Sequence, residues 1–477
     1  MTEALGNDRS QRMSLSAILV YSLAALPTSA LGLAILVYVS PYFASHLGVP
    51  LTAVGAAFAI VRGIDFFVDP LLGAVMDRTR TRLGRYRVWQ LIGIPILMLA
   101  VYQLFMAPFG ISQAYLVGWL LVMYLGTSIL DLSRSAWSST LATQYHERSR
   151  LFGIVTAVSV LGSVAVLLVP IASARFMPAG ASSVPAMGWF VLVLTPLSVG
   201  LATAFTREHV SIDLHSDRFA LRDYWAVVRR PALIRLFFAQ VSVSLGPNWM
   251  SAMYLFFFTA SRGFTAAQAS VLLLVYIFAG VLGAPATAQL ARRIGKHRTL
   301  MVTTTAFSLG LCTVMLFPRG NVLLAAPMML WCGFMASGFN LMIGAMAADF
   351  GDEIRLDQGQ ERISLIYAML SFANKLAGAI SILLTYYALS MVGYRAAEGA
   401  VNTSSAIHGL EAIFLIGPIF FVMLGGACFI GWRLDARRHG EIRSRLDARD
   451  AQVEAAMVVT TASLETVVVL AERAGPG

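Results

Sequence analysis

Long apolar stretches alternate with short polar connections along the whole chain. Each stretch is about 20 residues or longer, the length that a helix needs to cross the hydrocarbon core of a bilayer. Because helices satisfy their own backbone hydrogen bonds inside a membrane, the pattern predicts twelve membrane-spanning helices. The predicted spans are 15–44, 51–76, 87–108, 112–138, 151–174, 187–206, 233–260, 265–291, 298–317, 322–347, 363–392 and 407–433.

The longest internal polar connection divides these spans into two groups of six. A glycine- and arginine-containing segment follows span two, at 73–87, and a similar segment follows span eight, at 289–298. Such a repeat is typical of two related halves around an axis along the membrane normal. The predicted organisation is an N-terminal six-helix bundle at 1–206, a cytoplasmic loop at 207–232, a C-terminal six-helix bundle at 233–434, and at 435–477 a cytoplasmic tail with a short helix and a disordered end.

Composition supports a membrane protein and gives it an orientation. The chain is 58% hydrophobic and 13% charged, whereas about a quarter of the residues in a soluble domain are charged. The net charge of +10 could indicate a nucleic-acid partner, but the arginines cluster in the connections that follow even-numbered spans. By the positive-inside rule, both termini and the connections after even-numbered spans are cytoplasmic. We expect the protein to lie in the cell inner (plasma) membrane. We therefore expect no nucleic-acid partner.

Span two carries three charges on one helical face. Arg62, Asp65 and Asp69 are spaced by three and four residues, so they stack along one stripe. A charge at membrane depth costs at least a few kcal/mol and usually serves ion or solute handling. Two carboxylates one turn apart can ligate a small cation or share one proton. The alternative is an ion-pair network that only locks helices together.

Spans four and eleven carry further charges at similar depth. Asp131 lies in span four, one turn after Ser128 and one turn before Arg134. It could bind solute hydroxyls or complete a cation site, or it could simply pair with Arg134. Lys375 lies near the centre of span eleven, where it needs a carboxylate or a watery cavity. The nearest acids by depth are those of spans two and four, so Lys375 is predicted to bridge the two halves, either as part of the transport cycle or as a static salt bridge.

Other polar and aromatic residues within the spans could line a solute cavity, because aromatics stack on sugar faces and amides bond hydroxyls. For each of them, helix packing or interfacial anchoring is the alternative. A charged segment after span ten, 349–362, is predicted to be a solvated loop that could contact the basic loop after span two. The candidate cavity residues are Tyr38, Asn248, Trp249, Trp331, Asn340 and Asn374.

The segment from Arg62 to Arg87 resembles the signature of the glycoside-pentoside-hexuronide:cation symporters, the melibiose-permease-like branch of the major facilitator superfamily. The shared features are Arg62, Asp65 and Asp69-Pro70, Gly73, and the arginine-rich turn that ends at Arg87. Three further stretches fit: Asp131 with Glu147-Arg148, the acids from Asp349 to Gly359, and Tyr367 through Lys375 to Tyr394.

This resemblance implies an all-α membrane protein with the major facilitator fold of two six-helix bundles. Asp65 and Asp69 correspond to the paired acids of the coupling-cation site, with the hydroxyl of Ser128 near the cation. Asp131 corresponds to the acid at the border of the sugar and cation sites, and Lys375 to the lysine beside them.

Two departures concern the sugar half of the site. Ser29 stands where sugar-transporting members carry an acid in span one, and Thr156 stands where they often carry an arginine in span five. An aromatic residue often found just after the span-four acid is replaced near Ser135. The cation half of the signature is therefore better preserved than the sugar half.

The sequence predicts a monomeric secondary transporter without an organic cofactor. Its partners are the bilayer, a small solute and a monovalent cation, and it couples a sugar or glycoside to Na⁺ or H⁺ by alternating access. Asp65 and Asp69 would hold the metal ion if the cation is Na⁺. The predicted cation-binding residues are Asp65, Asp69, Asp131 and Ser128, and the predicted solute-binding residues are Asp131, Lys375, Arg62, Ser29, Thr156, Asn248, Trp249 and Asn340.

Two alternatives remain open at this point. One is a transporter or proton-driven exporter of the same fold for an amphiphilic, lipid-like or peptidoglycan-derived solute, which the departures at Ser29 and Thr156 favour. The other is a membrane-bound enzyme or receptor. The chain has no zincin, Walker or nucleophile-elbow motif, so we do not expect an enzyme.

Overall fold

The secondary structure of the chain is helical throughout the part that the structure describes. The computed structural model describes residues 13–141, 145–176, 182–206, 208, 229–316, 319–358, 363–432 and 434–452. In these ranges eleven helices are long and apolar enough to cross a membrane. The seventh predicted span is also helical, at Pro231–Ala252. The prediction of twelve membrane helices is confirmed.

The helices follow the predicted spans closely. Those of the first half are α1 Leu15–Ser45, α2 Leu51–Arg78, α3 Arg87–Phe105, α4 Gln113–Leu141, α5 Tyr145–Ser173 and α6 Val184–Phe205. Those of the second half are α7 Pro231–Ala252, continued by Tyr254–Phe256 and Phe257–Ser261, then α8 Ala266–Ile294, α9 Lys296–Cys312, α10 Val322–Gln358, α11 Ile363–Met391 and α12 Ser404–Ala427. A further helix, α13, lies at 436–452.

Helix α1 changes its hydrogen-bond pattern twice along its length. A 3₁₀ turn at Leu23–Ala25 comes just before Pro27, and a π turn at Ile35–Val39 comes just before Pro41. Proline has no N–H to donate, so the carbonyls one turn earlier must find other partners. The first span therefore stays helical past both prolines.

Each half packs as its own bundle, and two helix pairs make the most extensive contacts between the halves. In the first half α1 packs on α5, and α3 packs on α4 and α6. In the second half α7 packs on α11 and α12, and α8 and α9 both pack on α10. Across the halves α2 packs on α11 and α5 on α8. The second helix of each half thus meets the fifth helix of the other, as expected for two halves related by a pseudo-twofold axis.

Glycines allow close approach at two of these contacts. A Cβ built at Gly333 of α10 would lie 2.0 Å from the Tyr276 carbonyl oxygen of α8. A Cβ at Gly55 of α2 would lie 3.1 Å from the Leu383 Cα of α11. Small residues at such crossings are how membrane helices gain packing contacts in the absence of a hydrophobic driving force between them.

Hydrogen bonds join the halves at one end of the bundle. We call the end where α1 begins and α12 ends the terminal face, and the other end the far face. Near the far face, the Tyr38 hydroxyl of α1 shares a 2.5 Å hydrogen bond with Ser270 of α8. The Tyr386 hydroxyl of α11 donates to Ser40 of α1 over 2.9 Å. All four residues are buried, so the two halves are closed against each other at the far face.

The predicted solvated loop after span ten is wrong. Helix α10 continues to Gln358, and Asp349 is buried against Lys296, with its carboxylate oxygen 2.6 Å from the ammonium. Asp352 accepts from His439 of α13 over 3.0 Å. Lys296, the first residue of α9, neutralises Asp349, and His439 of α13 is the partner of Asp352. Helix α10 can therefore continue through these acids.

Several predictions fall on residues outside the described ranges. These are most of the loop at 207–232, the last residues of the charged segment, 359–362, and the tail end at 453–477. The predicted domain boundaries stay predictions, whereas the short helix predicted at the start of the tail is confirmed by α13.

Candidate cation and solute site

The charged stripe of span two forms as predicted on α2. Arg62, Asp65 and Asp69 lie within one uninterrupted helix, although Pro70 follows the last of them directly. Because proline has no N–H, the Phe66 carbonyl one turn earlier lacks its usual intrahelical donor. Helix α2 therefore lacks one intrahelical hydrogen bond within a turn of Asp69.

Asp65 is the most enclosed charge of the site. It is 4% exposed, and its Oδ1 accepts a 2.9 Å hydrogen bond from the Ser128 hydroxyl of α4. Its Oδ2 lies 3.4 Å from Nη1 of Arg62 and 3.9 Å from the ammonium of Lys375. A buried carboxylate needs such partners, because an unpaired charge at this depth is strongly unfavourable.

Asp69 and Lys375 form an ion pair across the two halves. The ammonium of Lys375, on α11, contacts Asp69 Oδ2. The other oxygen, Asp69 Oδ1, is buried and has no hydrogen-bond donor among the described residues. Lys375 lies against both acids of α2, as expected from its depth. The site therefore contains a cross-half bridge and one unsatisfied carboxylate oxygen.

Tyr124 completes the surroundings of Arg62, although the sequence does not single it out. The guanidinium carbon of Arg62 lies 4.0 Å from the centre of the Tyr124 ring, in cation–π contact. Tyr124 is one turn before Ser128 on α4, so both side chains point toward α2. The i, i+4 spacing from Ser128 was the one available sequence signal.

Asp131 lies one turn beyond Ser128 on the same helix. Its carboxylate is 2.8 Å from Arg134, and the Asp131 side chain is 47% exposed. The local pair with Arg134 was one of the two predicted arrangements. The contact described for Asp131 is with this arginine rather than with the α2 acids, and its half-open position leaves it accessible to a solute.

In the second half, a polar cluster joins α7 and α10. Gln240 Nε2 donates to Asn340 Oδ1 and to Ser244 Oγ, both over 2.8 Å. Asn340 was predicted from the sequence, whereas Gln240 and Ser244 were not. Gln240, Ser244 and Asn248 are spaced by four residues along α7, which is the signal that could have identified them.

Asn248 and Trp249 have different surroundings. A Cβ built at Gly378 would lie 3.9 Å from the Asn248 amide nitrogen, and Gly378 is one turn from Lys375 on α11. Asn248 thus lies near the helix face that carries the lysine. Trp249 is buried, and its indole donates to the Ile413 carbonyl of α12 over 3.1 Å. That placement favours the packing alternative for Trp249 over a solute contact.

Ser29 and Thr156 lie on α1 and α5, which pack against each other. The Ser29 carbonyl accepts from Ser163 over 3.4 Å, and Thr156 is exposed with its hydroxyl bonded to Phe152 of its own helix. The structure brings their helices together and leaves their predicted solute contacts as predictions.

Comparisons with known proteins identify the family. Residues 20–436 match the family model described as MFS/sugar transport protein. The chain belongs to this family. The family model and its sugar-transporting relatives confirm the predicted melibiose-permease-like branch. The protein is a multi-pass membrane transporter, so the alternative of a membrane-bound enzyme is wrong.

Individual relatives are distant but extensive. The isoprimeverose transporter of Lactiplantibacillus pentosus is 24% identical over 419 residues, covering 83% of this chain and 84% of that protein. The lactose permease of Lactobacillus delbrueckii subsp. bulgaricus is 25% identical over 424 residues, covering 82% of this chain and 65% of that protein. The crystal structure of the nucleoside transporter NupG superposes with a TM-score of 0.62 at 15% identity, covering 87% of this chain and 98% of that one, which shows a shared fold.

Proposed function

We propose that this transporter is a cation-coupled symporter of a sugar or glycoside that works by alternating access. The observation that carries the proposal is the Asp65–Asp69–Lys375 cluster. A buried acid, Asp65, and a partly buried acid, Asp69, of one half share a single ammonium of the other half. A carrier needs such a bridge if occupation of a cation site is to control how the halves separate.

The cluster supports a simple order of events. A cation that enters at Asp69 Oδ1 finds a buried oxygen without a donor, and its charge competes with that of Lys375 for both carboxylates. Once the acids are neutralised by the cation, Lys375 is free to leave them, and solute binds beside Asp131. Only the empty carrier and the doubly occupied carrier then reorient readily.

Both candidate cations remain compatible with these groups. A proton can be shared between Asp65 and Asp69, because like charges one helical turn apart disfavour ionising both. Na⁺ is a hard cation that prefers oxygen ligands, and the Ser128 hydroxyl and the Phe66 carbonyl would add to the two carboxylates. The described residues include no group of three or more His, Cys, Asp or Glu side chains fit for a metal, so a Na⁺ site would depend on those neutral oxygens.

The proposed solute class rests on the relatives and on the half-exposed acid. Two relatives are named for isoprimeverose and for lactose, and a carboxylate such as that of Asp131 accepts hydrogen bonds from hydroxyls. Ser29 and Thr156, in place of an acid and an arginine, favour a second candidate. That candidate is import or export of an amphiphilic, lipid-like or peptidoglycan-derived compound through the same cavity.

We place the terminal face in the cytoplasm and the protein, as a monomer, in the inner membrane. Basic residues of the α2–α3 and α8–α9 turns, such as Arg85 and Lys296, lie at the terminal face, and the positive-inside rule assigns such turns to the cytoplasm. The bonds of the far face then close the outer side of the cavity.

Vesicle transport tests the coupling assignment. Right-side-out vesicles are given a panel of labelled sugars and glycosides, with Na⁺ exchanged for Li⁺ and with pH varied. Asp65→Asn and Asp69→Asn should each abolish uphill accumulation at wild-type protein levels, because the neutral amide cannot hold the cation. Asp357→Asn is the matched control, since its carboxylate pairs with Arg230 at the terminal face. Uphill transport by both site variants would reject the assignment.

A further inference from the structure

Ion pairs between described residues join the two halves at two places. One is the contact of Lys375 with the acids of α2, at the candidate cation site. The other lies at the far face, where His46 at the end of α1 meets Glu398 of the α11–α12 connection. The Nδ1 atom of His46 is 3.0 Å from Glu398 Oε2. The remaining ion pairs between described residues lie within the first half, or within the second half and α13.

Both members of the far-face pair are held in place by further contacts. The backbone N–H of Glu398 donates to the Ser45 carbonyl at the end of α1 over 2.9 Å. The His46 ring stacks on the Tyr42 ring, with centres 5.0 Å apart. Phe109 of the α3–α4 connection packs on the other ring contact of His46 at the same distance. The imidazole and the carboxylate therefore face each other across the boundary between the halves.

The charge of this contact depends on pH through His46. Between about pH 5 and 8 a histidine changes its charge, whereas a glutamate stays ionised and a tyrosine stays neutral. The titratable side chains that contact His46 are those of Tyr42 and Glu398. Arg395, in the same connection as Glu398, forms no ion pair with any described residue, and its backbone bonds to Asn402. Near neutral pH, the group whose charge changes at this contact is therefore His46.

The direction of the effect depends on which state contains the ion pair. With the far face closed, a protonated His46 has a carboxylate oxygen 3.0 Å away, and it loses this partner to water when the halves separate there. The closed state therefore binds the proton more tightly, so acid favours closure and a rise of pH through neutrality weakens it. The other bonds across the far face come from the hydroxyls of Tyr38 and Tyr386, which do not change charge over this range.

We propose that the His46–Glu398 pair is a pH-sensitive contact that holds the outer side of the transporter closed in mildly acid medium. The far face is the outer side in the orientation proposed above, so the pair responds to the pH outside the cell. The two side chains are 25% and 58% exposed, and an ion pair screened by solvent contributes a modest free energy. We therefore expect protonation of His46 to shift the balance between the closed and open forms by about threefold.

A distance measurement between nitroxide labels tests this contact without any solute or cation gradient. The labels are attached at Ala114→Cys on α4 and Leu323→Cys on α10, both exposed near the far-face ends of their helices. The three native cysteines are replaced by alanine. In lipid nanodiscs, the fraction of molecules with the longer, open-state distance should rise about threefold from about pH 5.5 to about pH 8. An equal fraction at both pH values with His46 and Glu398 in place would overturn the proposal.

Substitutions of the pair assign the response to it. His46→Gln and Glu398→Gln should each lose the threefold rise, because neither variant can form the ion pair. His46→Lys, which stays charged, should keep the far face closed at both pH values. His408→Gln, at an exposed histidine of α12, is the matched control and should respond as the wild type does. A threefold rise retained by His46→Gln or by Glu398→Gln would overturn the proposal and leave the proposed symport standing.

Discussion

Replacing Lys375 with glutamine should destabilise the protein by an amount that the geometry sets. The ammonium contacts Asp69 and lies 3.9 Å from Asp65 Oδ2. At an effective dielectric constant of about 20, unit charges about 4 Å apart attract by about 4 kcal/mol. The Lys375 side chain is 42% exposed, so solvent screens part of this attraction, and desolvation of the ion pair offsets more. We expect a net loss of about 2 kcal/mol.

A double-mutant cycle isolates this interaction. Lys375→Gln, Asp69→Asn and the double variant are compared by thermal unfolding in detergent. Lys375→Gln leaves Asp69 without its partner from the other half, and Asp69→Asn leaves Lys375 with Asp65 alone. The double variant has neither charge, so it should be less destabilised than the sum of the singles by about 2 kcal/mol. Arg437→Gln, in an exposed pair on α13, should have no measurable effect. Strictly additive effects at Lys375 and Asp69 would refute the bridge as an energetic link between the halves.

Three further predictions concern the structure around the site. Gly84→Ala should destabilise the α2–α3 turn by about 1–2 kcal/mol in thermal unfolding. Gly84 has φ +115°, and a Cβ there would lie 2.3 Å from the Glu208 carboxylate. Unchanged stability of the variant would contradict this prediction. Tyr386→Phe removes the hydrogen bond to Ser40. It should increase thiol-reagent labelling of cysteines introduced at the far face. Labelling equal to that with Tyr386 in place would refute closure of the halves at the far face. Gly333→Leu should prevent α8 and α10 from packing and reduce folded protein in the membrane, and wild-type yield would reject that close approach.

The spans and the charged stripe could be predicted because their signals are local. A helix at membrane depth needs about 20 apolar residues, and α2 places Arg62, Asp65 and Asp69 on one face whatever surrounds it. Lys375 could be assigned to these acids by depth alone, because a lone charge at that depth needs a partner.

Features that depend on neighbouring helices could not be predicted in the same way. Gln240 could be suspected only from its four-residue spacing from Ser244 and Asn248. Tyr124 matters only because α4 turns it toward Arg62. The rotation of α7 about its axis places Trp249 against α12 rather than in the cavity. The length of α10 was missed because the partners of Asp349 lie on the α8–α9 turn and α13, far away in sequence.

Coupled movement of solute and cation through the Asp65–Asp69 site defines the proposed symport. Its most direct test is cation entry triggered by solute in proteoliposomes, recorded with a pH dye for H⁺ and with ²²Na for Na⁺. Adding a transported sugar should drive entry of one of these cations in the wild type and none in Asp69→Asn. Uphill sugar accumulation by the wild type without entry of either cation would contradict it.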